Sequence, residues 1–310
     1  MADTFFADAE YWDLFWEERL RGLENQGKRE AILAASRLLR ARFQQTGRPA
    51  RVLELGCGEG QIVGALFTAH LALCDRSRAA GLDANPRALA RCRRDYPALR
   101  FVQGDLTDPV LLAGLGAYDL VLLVNVIHEV FSSTVSPDTG VVDVPRAKQR
   151  AGQALAGAAG LIAPDGWLLL FDGLEPAGAP EDRLRVRFIH SAARRDFDQF
   201  AAQYRPFHIT FAETGDRLCV EMSRHDFARY MTKSIFLGKE LWERERFESY
   251  QYFTEADFRA AFAGLGLELA ELRPLSENEE KWRQRVLIET KGEEFPFEHI
   301  LILARRRTNS

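Results

Sequence analysis

The chain has 310 residues, 46% of them hydrophobic and 28% charged, which excludes disorder and suffices for one full domain plus a substantial addition. Lysine and arginine number 41 against 45 acidic residues, a formal net charge of −4, so no global field draws in nucleic acid or an anionic membrane. The four cysteines, Cys57, Cys74, Cys92 and Cys219, show neither C-x-x-C nor Cys/His spacing, which argues against a zinc site and a disulfide framework; no metal is expected, and a reducing compartment is implied.

In chain order, residues 1–49 read as an N-terminal helical cap. Tyr11, Trp12, Phe15 and Trp16 share one face at i, i+3, i+4 spacing, either to pack the segment onto the domain or to close over a ligand. Residues 28–45 form a strong helix with a basic outer face, ended by Thr46-Gly-Arg-Pro49. No basic stretch leads into an apolar one at the N-terminus, and no run approaches about 18 apolar residues, so neither export nor membrane spanning is expected and the protein reads as cytoplasmic.

Arg51-Val-Leu-Glu-Leu-Gly-Cys-Gly-Glu-Gly60 is a short apolar strand running into three glycines. Val52, Leu53 and Leu55 suit a central parallel strand covered on both faces. Gly56, Gly58 and Gly60 lack a Cβ, so the backbone can turn sharply and approach a ligand. Gln61-Ile-Val-Gly-Ala-Leu-Phe then has helical apolar spacing, and a glycine turn between strand and helix is the ligand position of an open α/β sheet. A dinucleotide fingerprint wants a small residue at position 61; Gln61 speaks against a nicotinamide dehydrogenase.

Ala79 to Pro86 is a second strand ending in Asp83, placed where doubly wound folds offer a carboxylate to ribose hydroxyls. Asn85-Pro86 opens a helix. Leu99 to Asp108 is a third strand with a polar turn, and Tyr118 to Val130, the most apolar run, is a fourth near the sheet centre. Pro145 to Leu161 is an alanine-rich helix, and Pro164 to Gly173 a turn and a fifth strand.

The spacing E-x-G-x-G-x-G at Glu54, Gly56, Gly58 and Gly60 resembles motif I of class I S-adenosylmethionine-dependent methyltransferases. Tyr118-Asp-Leu-Val resembles motif IV, and Pro164-Asp-Gly-Trp-Leu-Leu-Leu the P-G-G-x-L element before strand five, with Asp165 in place of the first glycine. The resemblance covers residues 50–173. It resumes at Tyr252 to Gly266, similar to the last helix, with Leu267 to Arg273 and His299 to Arg305 as strands six and seven.

This resemblance implies an α/β fold: a seven-stranded Rossmann-like methyltransferase sheet with helices on both faces, N-terminal helices, and an α+β insertion after strand five. The S-adenosylmethionine-binding domain would span 50–173 and 252–310, and the insertion 174–251. The cofactor would be S-adenosyl-L-methionine, held by Glu54, Gly56, Cys57, Gly58, Gly60, Asp83, Ala84, Asp105, Leu106, Asn125 and Val126, with Asp83 on the ribose and Asp105 beside the adenine. Cys57 reads as a small pocket residue rather than a nucleophile. Within the insertion, Pro206 to Met222 reads as a β-hairpin turning near Gly215-Asp216. Its place at the carboxyl edge of the sheet suits a substrate-covering lid; the alternative is an oligomerisation arm, and with it a homodimer.

Methyl transfer from a sulfonium needs mainly a nucleophile positioned in line with the methyl group. A base matters only where the acceptor carries a proton that must leave. His128 and Glu129, just past the fourth strand, are the candidate catalytic pair: His128 as general base or acceptor-positioning group, Glu129 orienting it or sharing the work. The competing reading is that His128 shapes the pocket and Glu129 caps a turn. Asn125 is followed by Val126 and Ile127 rather than Pro-Pro-Tyr, which speaks against the exocyclic-amine subclass acting on nucleic acid or glutamine. Phe188, His190, Arg194, Arg195, Tyr204, His208, His225, Tyr230 and Lys233 are further substrate-contact candidates, and Tyr250-Gln-Tyr-Phe253 approaches the pocket from its rim. A small-molecule acceptor is expected, without nucleic acid or membrane; methylation of RNA or protein, or a non-catalytic scaffold, are the alternatives.

Overall fold

The computed structural model describes residues 26–306, apart from 71, 76–79, 137, 180 and 278; the aromatic stripe of Tyr11, Trp12, Phe15 and Trp16 lies outside them. Helix α1 (Gln26–Thr46) leads to β1 (Val52–Leu55), α2 (Gln61–Ala69), β2 (Ala80–Asp83), α3 (Pro86–Asp95), β3 (Arg100–Gln103), α4 (Pro109–Ala113) and β4 (Tyr118–Val124). Then come α5 (Ile127–Ser132), α6 (Val144–Gly160) and β5 (Ile162–Gly173). Asn85, Asp108 and Asp143 each cap the helix that follows with a side-chain oxygen on its first N–H groups, and each is followed closely by proline, the helix-start chemistry expected from the sequence.

The main sheet has seven strands in the order β3-β2-β1-β4-β5-β11-β9, where β9 is Glu268–Leu275 and β11 is His299–Arg305. Strands β1 to β5 pair in parallel, and β11 runs antiparallel to both β5 and β9. Every residue of β1 and β4 is buried, as their apolar runs, each interrupted by one acid (Glu54, Asp119), require of strands covered on both faces. One face carries the side chains of α4, α5, α6 and α10 (Glu255–Gly264), among them Phe131, Leu155, Phe258 and Phe262. The other carries α1, α2 and α3, through Ala35, Leu39, Ile62 and Leu89. Strand order reverses between β1 and β4, and the crevice at the carboxyl ends of these strands is where such a sheet receives a ligand.

The fourth strand is shorter than its apolar run. It ends at Val124, and Ile127–Ser132 is helical instead. Asn125 takes a left-handed backbone (φ 53°), donates its N–H to the Phe171 carbonyl, and turns the chain off the sheet; the short polar side chain of Asn makes that conformation accessible. Asp165, which stands where the family pattern has glycine, likewise carries a left-handed turn (φ 56°).

A second sheet of four antiparallel strands has the order β10-β6-β8-β7, from β6 (Arg183–Phe188), β7 (Phe211–Glu213), β8 (Cys219–Ser223) and β10 (Val286–Ile288). The expected hairpin is present, Phe211 pairing with Met222 and Glu213 with Val220. Around it lie α7 (Ser191–Gln203), α8 (Arg224–Lys233), a 3-10 turn (Ser234–Phe236), α9 (Trp242–Glu245) and α11 (Glu279–Arg283). Residues 174–251 do not complete this sheet alone: β10 comes from the stretch between β9 and β11. An aromatic core of Phe188, Phe197, Phe200, Tyr230, Trp242 and Trp282 holds the layer together.

Candidate active site

The glycine turn is shaped by backbone rather than by side chains. Gly56, Gly58 and Gly60 all have positive φ (70°, 51° and 72°). A Cβ at Gly56 would stand 2.2 Å from Val126 Cγ2, so the turn packs directly against the chain entering α5. Gly60 is the N-cap of α2, whose first N–H groups open toward the turn. Glu54 is buried beneath it and accepts from the Val63 N–H at 2.9 Å. Burial pushes its carboxyl up to about 8, against the opposing pull of that hydrogen bond and of Lys28.

Asp83 reaches back to the turn: its Oδ2 accepts from Gly58 N at 2.7 Å and its Oδ1 from Asn85 N at 2.8 Å. Burial raises this carboxyl, while the N–H groups of Asn85, Gly58 and Ala84 oppose the rise. Asp105 behaves differently. It is exposed, and its Oδ1 accepts from the N–H and hydroxyl of Thr107 at 2.7 and 2.8 Å, so its hydrogen bonds stay inside its own turn. Leu106 is buried in the core behind it. Cys57 is buried, and a hydrogen bond to Cys92, then burial, pushes its thiol well above the ordinary range.

His128, in the first turn of α5, is 1% exposed. Its Nδ1 lies 2.6 Å from Asp172 Oδ1 at the end of β5. Asp172 also accepts backbone N–H groups, from Ile127 at 2.7 Å and Val126 at 3.1 Å on Oδ2, and from Gly173 at 2.7 Å on Oδ1. Such a carboxylate accepts from the ring as well, which puts an imidazole N–H on Nδ1 and leaves Nε2 to face the second layer. One side chain thus orients both the start of α5 and the histidine upon it.

Beyond His128 lies a buried network of charges. Nε2 faces Glu248 Oε1 at 3.7 Å, too long for a hydrogen bond. The fully buried Lys233 joins Glu245 Oε2 at 2.6 Å and Glu248 Oε2. Burial would raise Glu248, but Lys233, then His128, bring it down to about 2; burial holds Glu245 up at about 7 despite Lys233. Tyr250 stacks on the imidazole with ring centroids 3.8 Å apart, and Lys233 Nζ lies 4.3 Å from the Tyr250 ring centroid. The close approach of this segment to the sheet needs Gly173, where a Cβ would stand 1.9 Å from the Tyr250 carbonyl oxygen.

Glu129 joins the two halves. Its carboxyl makes no hydrogen bond among the described residues and caps no turn. Burial first, then the charges of Glu248, Asp83, Asp172 and Glu245, push it well above the ordinary carboxyl range. Feeling both Asp83 and Glu248, it stands between the glycine turn and the buried network.

The structure therefore brings together Glu54, Gly56, Gly58, Gly60, Asp83, Val126, His128 and Glu129, and of the broader candidates it adds Lys233 and Tyr250. Tyr204, Phe188 and Tyr230 are core residues; His190, Arg195 and His208 are exposed. Arg194 pairs with Asp198 and Glu213, and His225 and Arg229 both pair with Glu175. Asp172, Glu245 and Glu248 were not foreseen. A lone acid ending an apolar strand was the available sign for Asp172, whereas Trp242-Glu-Arg-Glu-Arg-Phe-Glu-Ser249 has the look of an ordinary solvated helix.

Residues 52–137 match the family model described as a methyltransferase domain. No curated protein matches the chain. Among solved structures, magnesium protoporphyrin IX methyltransferase from Synechocystis PCC 6803, with bound SAH, is 15% identical with a TM-score of 0.49, covering 96% of this chain and 94% of its own. N-methyltransferase NodS from Bradyrhizobium japonicum WM9, in complex with S-adenosyl-l-homocysteine, is 12% identical with a TM-score of 0.47, covering 99% and 100%. The 1,6-didemethyltoxoflavin-N1-methyltransferase of Burkholderia thailandensis is 13% identical with a TM-score of 0.43, covering 96% and 86%. Among the described residues, no helix is long and apolar enough to cross a membrane.

Proposed function

We propose that the chain, whose residues 52–137 match a methyltransferase domain on a Rossmann-like sheet, uses S-adenosylmethionine to methylate a small-molecule acceptor held between the glycine turn and His128. The observation that supports this reading is the Asp172 carboxylate, which holds His128 through Nδ1 and the start of α5 through the Ile127 N–H, next to the Val126 that packs on Gly56.

The residues fit the cofactor. Gly56, Gly58 and Gly60 carry the left-handed turn that exposes backbone, the start of α2 offers N–H groups, and Asp83 presents a carboxylate edge at the turn. Glu54, Gly56, Cys57, Gly58 and Gly60 would form its cradle, Asp83 and Ala84 its ribose side, and Asp105, Leu106, Asn125 and Val126 its adenine side. When bound, the cofactor supplies a methyl group already activated on sulfonium. The chain's own work is then to exclude water, to align the nucleophile, and to take a proton where the acceptor carries one. His128 Nε2 is the base in this reading, with Glu129 beside it. Net charge of −4 and the covering layer of the second sheet support a small acceptor over RNA. Four unpaired, buried cysteines suit a cytoplasmic site of action.

Calorimetry with S-adenosylmethionine and its demethylated product tests the foundation. Saturable binding at one site per chain is expected; folded protein that binds neither has no claim to the activity. Against an acceptor found by product screening, His128→Ala is expected to keep cofactor affinity and lose turnover by two or more orders of magnitude, as removal of a general base does.

A further inference from the structure

One group of side chains is not accounted for by methyl transfer alone. His128, Glu129 and Glu248 each offer one ligand atom, and the three atoms lie within 4.8 Å of one another. Nε2 of His128 is buried and faces Glu248 Oε1, 3.7 Å away, too long for a hydrogen bond. A nitrogen and a carboxylate oxygen facing at that distance attract a cation between them, a proton on Nε2 or a metal ion in its place. The far side of each is already held: Asp172 grips Nδ1 of His128 at 2.6 Å, and Lys233 grips Oε2 of Glu248. Metal-binding histidines are oriented in just this manner, their second nitrogen donating to a carboxylate. The third member, Glu129, has no hydrogen bond among the described residues to give up.

We propose that His128 Nε2, Glu129 and Glu248 form a site for one divalent transition ion of the zinc type. One imidazole nitrogen and two carboxylate oxygens suit such an ion, and three protein ligands leave a position open. Ligands each about 2.1 Å from one ion stand roughly 3.5 Å apart, so Glu129, the unanchored member, swings inward on loading. The cysteine spacing that spoke against zinc says nothing about a site without sulfur. A bound ion and a proton-accepting Nε2 exclude one another, so the loaded protein is the blocked form of the base. That consequence rests on the methyl-transfer reading; the ion site itself does not.

The test uses the full chain, freed of metal by chelation and titrated with cobalt(II), reading visible d–d absorption. Saturation at one ion per chain is expected. Glu129→Gln and His128→Asn should each weaken binding at least about tenfold, since loss of an outer partner alone costs 10- to 100-fold. Glu129→Gln removes no hydrogen bond seen among the described residues, and thermal melting of the same samples reports whether each variant remains folded, while calorimetry with S-adenosylhomocysteine reports on the cofactor site alone. Failure to saturate at one ion per chain, or equal affinity in wild type and both variants, overturns the site. Cobalt binding without S-adenosylhomocysteine binding would uphold the site and overturn the methyl-transfer reading; the reverse result does the opposite.

Discussion

On the glycine-turn side of the cleft, the shape comes from backbone N–H donors and the left-handed Gly56, Gly58 and Gly60, all neighbours in sequence between Glu54 and Val63, with Asp83 clipped to Gly58. On the His128 side, it comes from polar side chains, most of them charged, drawn from α5, β5, α8, α9 and the segment after it, residues 128, 172, 233, 245, 248 and 250. The first side has its shape paid in local conformation and tolerates little change in side-chain volume. The second stakes its shape on mutual neutralisation, where each buried charge stands only because its partner does.

Breaking the ion network should therefore have the largest effect. Lys233→Met leaves Glu245 and Glu248 buried together without their cation, and about 3–5 kcal/mol of folding stability should go, read by denaturant unfolding. A loss under about 1 kcal/mol would mean that the charged half is not held by neutralisation. Next, Gly56→Ala forces a Cβ against Val126 in a left-handed backbone; about 2 kcal/mol of strain and overpacking, together with loss of cofactor binding, is expected by thermal melting and calorimetry. Normal cofactor affinity in that variant would end the idea of a backbone-shaped cradle.

Asp83→Ala is expected to weaken cofactor binding by more than about 1 kcal/mol, without the large stability cost of Lys233→Met. Read over the one pH unit from 7 to 8, the smallest effect, about 1 kcal/mol, is a pH dependence that belongs to Glu54. Its folded value of about 8 lies above the ordinary 4.5, so the folded state binds the proton more tightly. Its contribution is fully present below the ordinary value and is lost as pH rises through the folded one, at roughly 1 kcal/mol for each pH unit between. Melting temperature should fall from neutral to mildly alkaline pH, and Glu54→Gln should flatten that fall.

The same contrast decides what was legible in the sequence. The sheet, the helix starts and the glycine turn depend on local chemistry, so Val52 to Gly60, Asn85-Pro86 and Asp83 could be placed from spacing alone. The hairpin was visible through its own turn. The end of β4 was not, because an apolar run does not record that Asn125 will turn left-handed and hand Val126 and Ile127 to Asp172. His128 and Glu129 stood out as polar residues beside a central strand. Their partners did not: Glu245 and Glu248 become buried only when α9 folds down onto Lys233, which nothing in their neighbourhood announces. β10 was missed for a related reason, being only Val286–Ile288, too short to show alternation.

That three-residue strand has a further bearing. Because Val286–Ile288 pairs with Val186–Phe188 across nearly a hundred residues of sequence, the second layer is sewn to the main sheet by the chain leaving β9 and the chain entering β11 as well as by the chain leaving β5. A layer tied at all of those points cannot swing on a single hinge. Excising 174–251 would leave Val286–Ile288 as an orphaned ribbon seeking another edge, so the smallest unit that folds includes both layers.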